Sequence, residues 1–278
     1  MVTDAPSEAP RLSDAQLAQV MALIKGADSV ELKVTVPATE HRATITGLPM
    51  DPVEAQPRQV YFFDTPDLTL NKAGVVVRAR RIQGGRGDTV IKLRPVVPEE
   101  LPPDLRRSAA FNVEVDVLPG GFVCSGSLKG RSTGAEVHDA AAGRIPLHKL
   151  YSKEQRAFYA LHAPKGIDLD SLVPLGPTFV LKARFYAQTA MDPQPPGRLM
   201  VAEMWLYPDG SRIFELSTRC RPAEASGVAA ETRAWLIKQG VVISGLQQTK
   251  TKAALEFYQA QMQAQLAAGE AQAPASEA

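Results

Sequence analysis

The sequence predicts an α+β protein in which several short antiparallel strands are flanked by helices. Seven segments alternate apolar and polar residues with a period of two, which is typical of strands whose two faces meet different surroundings. Four other segments place apolar residues on one helical face or begin and end at capping residues. Alternation does not tell which face is inside, so a closed barrel and a sandwich remain equally open at this point.

The predicted helices are marked by their ends. Ser13 caps the first, and Gly26 ends it. Ser152 begins the second, where Gln155 completes a capping box. The third and fourth cover about 223–239 and 250–265.

The predicted strands carry pairs of like charges on their polar faces. Arg78 and Arg80 lie two residues apart on one strand. Such neighbours are about 7 Å apart and repel each other, so an anion is expected between them. If these faces point into a barrel, the lumen would suit a polyanion with a metal ion. The charged residues of these faces are Lys33, Arg78, Arg80, Lys92, Arg94, Lys182, Arg184 and Arg219, with the acids Glu31, Glu114, Asp116, Glu203 and Glu215.

Composition excludes several classes of protein. In 278 residues there are 31 Lys+Arg and 30 Asp+Glu, so no net field attracts nucleic acid or an anionic membrane. Aromatic residues make up only 6%, which also disfavours a binder of single-stranded nucleic acid. No apolar run approaches the roughly 18 residues that a membrane span needs. Cys124 and Cys220 stand far apart, which favours a reducing cytoplasm over a disulfide-stabilised protein.

Both ends of the chain differ from the rest. Residues 1–11 and 265–278 are rich in Ala, Pro, Glu and Gln and lack a periodic apolar face, so they are predicted to be disordered. Residues 12–264 form the single predicted domain. Within it, GGRGD at 84–88 is interpreted as a hairpin turn, whereas 119–150 is a long segment of small residues. That segment is expected to hold helical turns near 137–142 or to form a mobile flap over the lumen.

One segment carries a distinctive pattern. Residues 61–81 read YFFDTPDLTLNKAGVVVRARR, in which a strand ends in Asp-Thr-Pro and a turn and a glycine lead to Arg-x-Arg. This pattern resembles the CYTH, or triphosphate tunnel metalloenzyme, superfamily, as do VELKVTV, TVIKLR and QQTKTKAALEFY, which occur in the corresponding order. The resemblance covers roughly 28–262. It implies a closed antiparallel tunnel of about eight strands with a charged lumen and flanking helices, which favours the barrel over the sandwich.

The resemblance also implies roles for individual residues. Cations that match phosphate-binding positions are Lys33, Arg78, Arg80, Lys92, Arg94, Lys182, Arg184 and Lys250. Glu31 and Glu215 match metal ligands, and the metal would be magnesium or manganese. Three acids of the family pattern are replaced here by Ser29, Ser217 and Tyr207, although Asp209 is close to the last. Glu114, Asp116 and Glu203 are the candidates for a metal site in a shifted position or for its surroundings.

The expected function is therefore that of a cytoplasmic, metal-dependent triphosphatase acting on a small-molecule triphosphate or on inorganic polyphosphate. Ser29 and Ser217 favour an alternative, a phosphate-binding module that kept its cations and lost efficient catalysis. Adenylate cyclase activity of the class IV type is a further alternative that the resemblance brings with it. The cations themselves support phosphate binding in each case, because Arg binds phosphate oxygens in a bidentate manner and Lys supplies a compact charge.

Overall fold

The strands of the protein close into a barrel, as predicted. The computed structural model describes residues 12–243, 247 and 250–272, with side chains as far as residue 264. The strands are β1 Ser29–Val36, β2 Gln56–Asp64, β3 Val75–Ile82, β4 Gly87–Leu93, β5 Phe111–Leu118, β6 Gly121–Ser132, β7 Val173–Ala187, β8 Arg198–Leu206 and β9 Arg212–Cys220. Around the barrel their order is β1-β5-β6-β4-β3-β2-β7-β8-β9, and β9 pairs again with β1.

The barrel differs from the predicted one in two respects. The described part of the chain contains nine strands rather than about eight, and β1 pairs with β5 in parallel, whereas the other pairs are antiparallel. The parallel pair is sterically possible because β1 and β5 are joined by a long connection, which contains three other strands of the barrel.

The additional strand is β6, and it lies in the segment for which the sequence predicts helical turns or a flap. Packing requires a glycine at one of the small residues of β6, Gly126. A Cβ atom on Gly126 would lie 2.6 Å from Cζ of Phe111 in the neighbouring strand. The flap prediction is therefore wrong, and the helical turns expected near 137–142 belong to a helix that runs from Gly134 to Ala141.

The helices lie outside the barrel and at one of its ends. They are α1 Asp14–Gly26, α2 His41–Gly47, α3 Thr69–Lys72, α4 Pro103–Arg107, α5 Gly134–Ala141, α6 Lys153–His162, α7 Ala225–Lys238 and α8 Lys250–Gln272. The N-cap predicted at Ser13 and the capping box predicted at Ser152 are both formed, and the cap at Ser13 is a capping box as well.

The last helix is longer than predicted. It continues through 265–272, which the sequence assigns to a tail, because Ala, Gln, Leu and Glu favour the helical conformation even without an apolar face. The predicted N-terminal tail at 1–11 and residues 273–278 lie outside the described residues.

The apolar strand faces point outward and are covered by helices. Val77 and Ile91 belong to one buried cluster with Val20 of α1. On the other side of the barrel, Leu216 of β9 packs with Leu236 of α7. Because successive side chains of a strand alternate between its faces, the charged residues of these strands point into the lumen.

One end of the lumen is filled by the start of α8. Ala254, Leu255 and Tyr258 are buried among apolar side chains on the inward faces of β2, β7 and β8, such as Val60 and Trp205. The Thr178 hydroxyl of β7 donates a hydrogen bond of 3.2 Å to the Tyr258 hydroxyl. The charged part of the lumen is therefore closed on this side by a helix of the same chain.

The distinctive segment at 61–81 has a local structural cause. The carboxylate of Asp64, which is 2% exposed, accepts hydrogen bonds from the backbone N–H groups of Thr65 at 2.7 Å, Leu70 at 2.8 Å and Asn71 at 3.0 Å. It thereby fixes the turn and the short α3 between β2 and β3. Gly74 follows with φ at +76°, and a Cβ atom there would lie 2.5 Å from the Arg94 carbonyl oxygen.

Replacing Asp64 with Ala is expected to lower the free energy of unfolding by about 3 kcal/mol, because buried backbone donors lose their acceptor. Asp67→Ala is the matched control, since Asp67 lies in the same turn but its side chain is 65% exposed. Urea denaturation followed by circular dichroism measures both. Equal losses in the two variants would contradict the assigned role of Asp64.

Candidate functional site

The inward face of the barrel carries both basic and acidic side chains, and the basic ones are in excess. Every charged residue that the sequence analysis assigns to phosphate or metal binding lies on this face or at the start of α8. Among the described residues, twelve cations and six acids are found there. They are Lys33, Arg58, Arg78, Arg80, Lys92, Arg94, Lys129, Arg131, Lys182, Arg184, Arg219 and Lys250, with Glu31, Asp88, Glu114, Asp116, Glu203 and Glu215.

The lumen is enclosed but remains accessible to water. Strands surround Lys92, Arg94 and Arg80, yet their side chains are still 17%, 20% and 24% exposed to solvent. Charged groups at this depth interact more strongly than on an open surface because less water screens them.

Three of the acids lie close together. Glu31, Glu114 and Asp116, here called the acidic trio, each offer a carboxylate oxygen within 4.8 Å of the others. The parallel pairing of β1 and β5 brings them together, since it sets Glu31 opposite Asp116 and Ser29 opposite Glu114. Carboxylate oxygens are the preferred ligands of magnesium and manganese, so the trio fits a divalent cation of this kind.

The two serines that replace family acids border the acidic trio. The Ser29 hydroxyl donates to Glu114 Oε2 at 3.4 Å, and the Ser217 hydroxyl donates to Glu31 Oε1 at 3.3 Å. Tyr207, the third replacement, is buried near α8, and its hydroxyl donates to the Lys250 carbonyl oxygen at 3.3 Å. Asp209 lies in an exposed turn, where it accepts a hydrogen bond from the Ser211 backbone, and does not supply the missing acid.

Cations already contact each member of the acidic trio. Lys33 Nζ lies 3.0 Å from Glu31 Oε2 and 2.9 Å from Asp116 Oδ1. Asp116 Oδ2 lies 3.0 Å from Arg94 Nη2 and 3.9 Å from Lys92 Nζ. Arg219 pairs with Glu114 and lies 3.9 Å from Glu31.

These contacts shift the pKa values of the groups. Burial opposes ionisation of Asp116 and Glu31, but Lys33 and its neighbours outweigh burial and hold both carboxyl pKa values below their usual range. Burial likewise opposes the charge of Lys33, and Asp116 with Glu31 nevertheless raises its pKa. For Lys92 burial prevails over the attraction of Asp116, and with the help of Arg94 it lowers the pKa to about 7.

The other two predicted acids form a separate cluster. Glu203 and Glu215 lie directly opposite each other on β8 and β9. Lys250 of α8 pairs with both, at 2.7 Å from Glu215 Oε1, and Lys182 Nζ lies 3.0 Å from Glu203 Oε1. Burial would raise the pKa of Glu203, but the two lysines hold it well below its usual range. Glu215 is thus not a member of the acidic trio to which Glu31 belongs.

Some cations of the lumen lack an ion pair. In the described part of the chain, Arg58, Arg78 and Arg184 contact no carboxylate, and the buried Nε atoms of Arg58 and Arg78 have no hydrogen-bond partner. Burial, aided by the charge of Arg80, lowers the pKa of Arg78 to about 10. Arg80 differs, because its Nε and Nη2 atoms bind Asp88 at 2.6–3.0 Å.

Four lumen residues were missed by the sequence analysis, namely Arg58, Asp88, Lys129 and Arg131. Arg58 follows Pro57 on a strand whose inward face continues with the apolar Val60 and Phe62, so it has no like charge two residues away and the face carries no charge pattern. Asp88 was assigned to the hairpin turn, whereas β4 already begins at Gly87. Lys129 and Arg131 lie two residues apart on β6 and repeat the pattern of the other strands, which was the available signal.

Two findings bear on the surroundings of the protein. No helix in the described ranges is long and apolar enough to cross a membrane. Cys124 and Cys220 are both buried and free.

Comparison with known proteins identifies the fold. Neither a protein-family model nor a curated protein matches the chain. Solved structures are similar, among them a putative adenylyl cyclase from Hippeastrum that is described as having a dominant triphosphatase activity. At 15% identity its TM-score is 0.58, and the match covers 81% of this chain and 94% of that one. A putative adenylate cyclase from Bacillus halodurans matches with 13% identity, a TM-score of 0.53 and coverage of 81% and 98%. These likenesses confirm the tunnel fold that the resemblance to the CYTH superfamily implies.

Proposed function

We propose that the protein binds a triphosphate or an inorganic polyphosphate in its lumen and hydrolyses it with a divalent metal. The excess of twelve cations over six acids carries this proposal. A triphosphate has about four negative charges, which such an excess can neutralise by charge-assisted hydrogen bonds. The likeness in fold to a protein with triphosphatase activity supports the same conclusion.

The predicted cations would hold the phosphates. Arg78 supplies N–H donors that no group of the described chain uses, so a phosphate oxygen can take them without breaking an existing pair. Ordering the phosphates along fixed cations places the terminal phosphorus for in-line attack by water, and it stabilises the charge that moves to the leaving group. The proposed phosphate-binding residues are Lys33, Arg78, Arg80, Lys92, Arg94, Lys182, Arg184 and Lys250.

The metal would be held by the acidic trio. Of the ligands predicted from the sequence, Glu31 belongs to the trio, whereas Glu215 and Glu203 would instead fix Lys250 near the phosphates. When bound, magnesium or manganese would withdraw charge from the phosphate oxygens and make a water molecule a better nucleophile. The residues of the chain then orient the substrate.

A binding module with little catalysis is the second candidate. It is favoured by Ser29 and Ser217, which reduce the number of acids near Glu31. We place either activity in the cytoplasm, because the free cysteines suit a reducing compartment.

Phosphate release from tripolyphosphate, ATP and thiamine triphosphate in the presence of Mg²⁺ or Mn²⁺ tests the proposal, and formation of cyclic AMP from ATP is measured in parallel. Turnover by the wild type is expected to fall by at least about a hundredfold in Glu31→Gln. The exposed Asp209→Asn is the control and is expected to keep full activity. Tight binding without any turnover would reject the enzyme in favour of the binding module, and cyclic AMP as the main product would identify a cyclase.

A further inference from the structure

We infer, on the basis of the function proposed above, that the acidic trio binds a divalent metal only together with a triphosphate or after it, because the protein's own cations neutralise the trio until a triphosphate is present. Arg219 and Lys33 are the residues that impose this linkage. Free metal would bind weakly, and the triphosphate would reach the site before the metal or together with it.

Lys33 lies between two members of the acidic trio. Its ammonium group lies about equally far from Glu31 and Asp116, at 3.0 Å and 2.9 Å, and its side chain is only 11% exposed. It therefore contacts two of the three carboxylates that a metal would need. A metal ion that enters the trio must first displace this ammonium group.

The charges of the acidic trio are balanced by cations that contact it. Lys33, Arg94 and Arg219 carry as many positive charges as the acidic trio carries negative charges, and each of them contacts a member of the trio. No net negative potential remains to attract a free divalent cation. A displaced Lys33 would also enter a lumen that already contains an excess of cations, which is unfavourable at low dielectric.

A triphosphate reverses both conditions. Its oxygens are acceptors for Lys33 and Arg94, and its charge offsets the excess of cations, so the acids are released to bind the metal. Each ligand must then raise the affinity of the other by the same factor, since binding free energies are linked. The metal consequently arrives with the triphosphate or after it.

Arg219 allows this linkage to be tested apart from phosphate binding. It reaches from β9 to Glu114 and lies 3.9 Å from Glu31, yet its side chain is 52% exposed. Replacing it with Gln leaves Glu114 without its ion pair while the interior cations stay in place. Arg221 is a matched control, because it lies two residues further along, is 83% exposed and pairs only with Glu224 among the described residues.

The test uses electron paramagnetic resonance of Mn²⁺ with the wild type, Arg219→Gln, Lys33→Met and Arg221→Gln. Mn²⁺ alone is expected to bind Arg219→Gln and Lys33→Met at least about tenfold more tightly than the wild type or Arg221→Gln. With the wild type, a Mn²⁺ complex of imidotriphosphate, an analogue that resists hydrolysis, is expected to give a bound spectrum at concentrations where Mn²⁺ alone stays free.

Two different failures can be told apart. If Mn²⁺ alone binds the wild type as tightly as it binds Arg219→Gln, the linkage is refuted even where imidotriphosphate binds. If imidotriphosphate does not bind the wild type in calorimetry, with or without Mn²⁺, the proposed function itself fails.

Discussion

The variant Arg78→Met is expected to lose about 30- to 100-fold in affinity for tripolyphosphate while its melting temperature stays the same or rises. The loss corresponds to about 2–3 kcal/mol, the usual contribution of hydrogen bonds from a charged donor. Stability is not expected to fall, because Arg78 has no carboxylate partner in the described chain and burial already lowers its pKa. Met keeps most of the volume of the side chain and removes the repulsion by Arg80.

Arg81→Met is the matched control for this experiment. Arg81 is the third residue after Arg78 on the same strand, lies on the outer face of the barrel and donates a hydrogen bond of 3.2 Å to Gln59. Calorimetric titration with tripolyphosphate in the presence of a chelator measures affinity without hydrolysis. Unchanged affinity in Arg78→Met, or an equal loss in Arg81→Met, would show that the phosphates do not bind in the lumen.

The charged lumen could be predicted from the sequence because strand alternation is a local signal. The pairs at Arg78 and Arg80 or at Lys92 and Arg94 are each visible within three residues, and the resemblance at 61–81 indicates that these faces point inward. The segment at 61–81 is itself locally determined, since Asp64 and the amides that it binds lie within seven residues of one another. Patterns of this kind need no knowledge of distant parts of the chain.

The grouping of the acids could not be predicted in the same way. Glu31 and Asp116 meet only because β1 pairs in parallel with β5, a strand that lies 85 positions further along the chain. The Gly and Ser residues of β6 likewise hid this strand, and at Gly126 the small size is required by Phe111 on a neighbouring strand. Both features depend on contacts between segments that are distant in the sequence. Such contacts cannot be inferred from local patterns in a single sequence.

The variant Lys250→Met is expected to lower the free energy of unfolding by about 3 kcal/mol or more, because removing one partner of a buried ion-pair cluster leaves uncompensated charge. Glu203 and Glu215 lie opposite each other on β8 and β9, and Lys250 contacts both. Without it, the two carboxylates face each other in the lumen, and among the described residues Lys182 is the cation that remains in ion-pair contact with Glu203. Thermal and urea denaturation at pH 7 measure the loss.

The dependence of this loss on pH identifies its electrostatic origin. In the wild type, Lys250 and Lys182 hold the pKa of Glu203 well below its usual range, so this carboxylate stabilises the protein above about pH 4.3, its ordinary value, and the contribution is lost as the pH falls further. In Lys250→Met the pKa of Glu203 rises, because the coulombic effect of Lys250 that lowers it is gone, and protonation of Glu203 relieves its repulsion with the facing carboxylate. The difference in stability between the two proteins is therefore expected to shrink as the pH is lowered from 7 to 4.5.

Two further variants show whether the loss of stability in Lys250→Met comes from this ion-pair cluster or from the removal of any lysine. Lys252→Met is the control, because Lys252 lies one half-turn along the same helix, is 67% exposed and, among the described residues, makes only a surface pair of 3.7 Å with Glu256. The free energy of unfolding of this variant is expected to fall by less than about 0.5 kcal/mol. The double variant Lys250→Met with Glu215→Gln removes the unpaired charge and is expected to recover part of the stability. An equal effect of Lys250→Met and Lys252→Met would mean that Lys250 does not bridge the two acids.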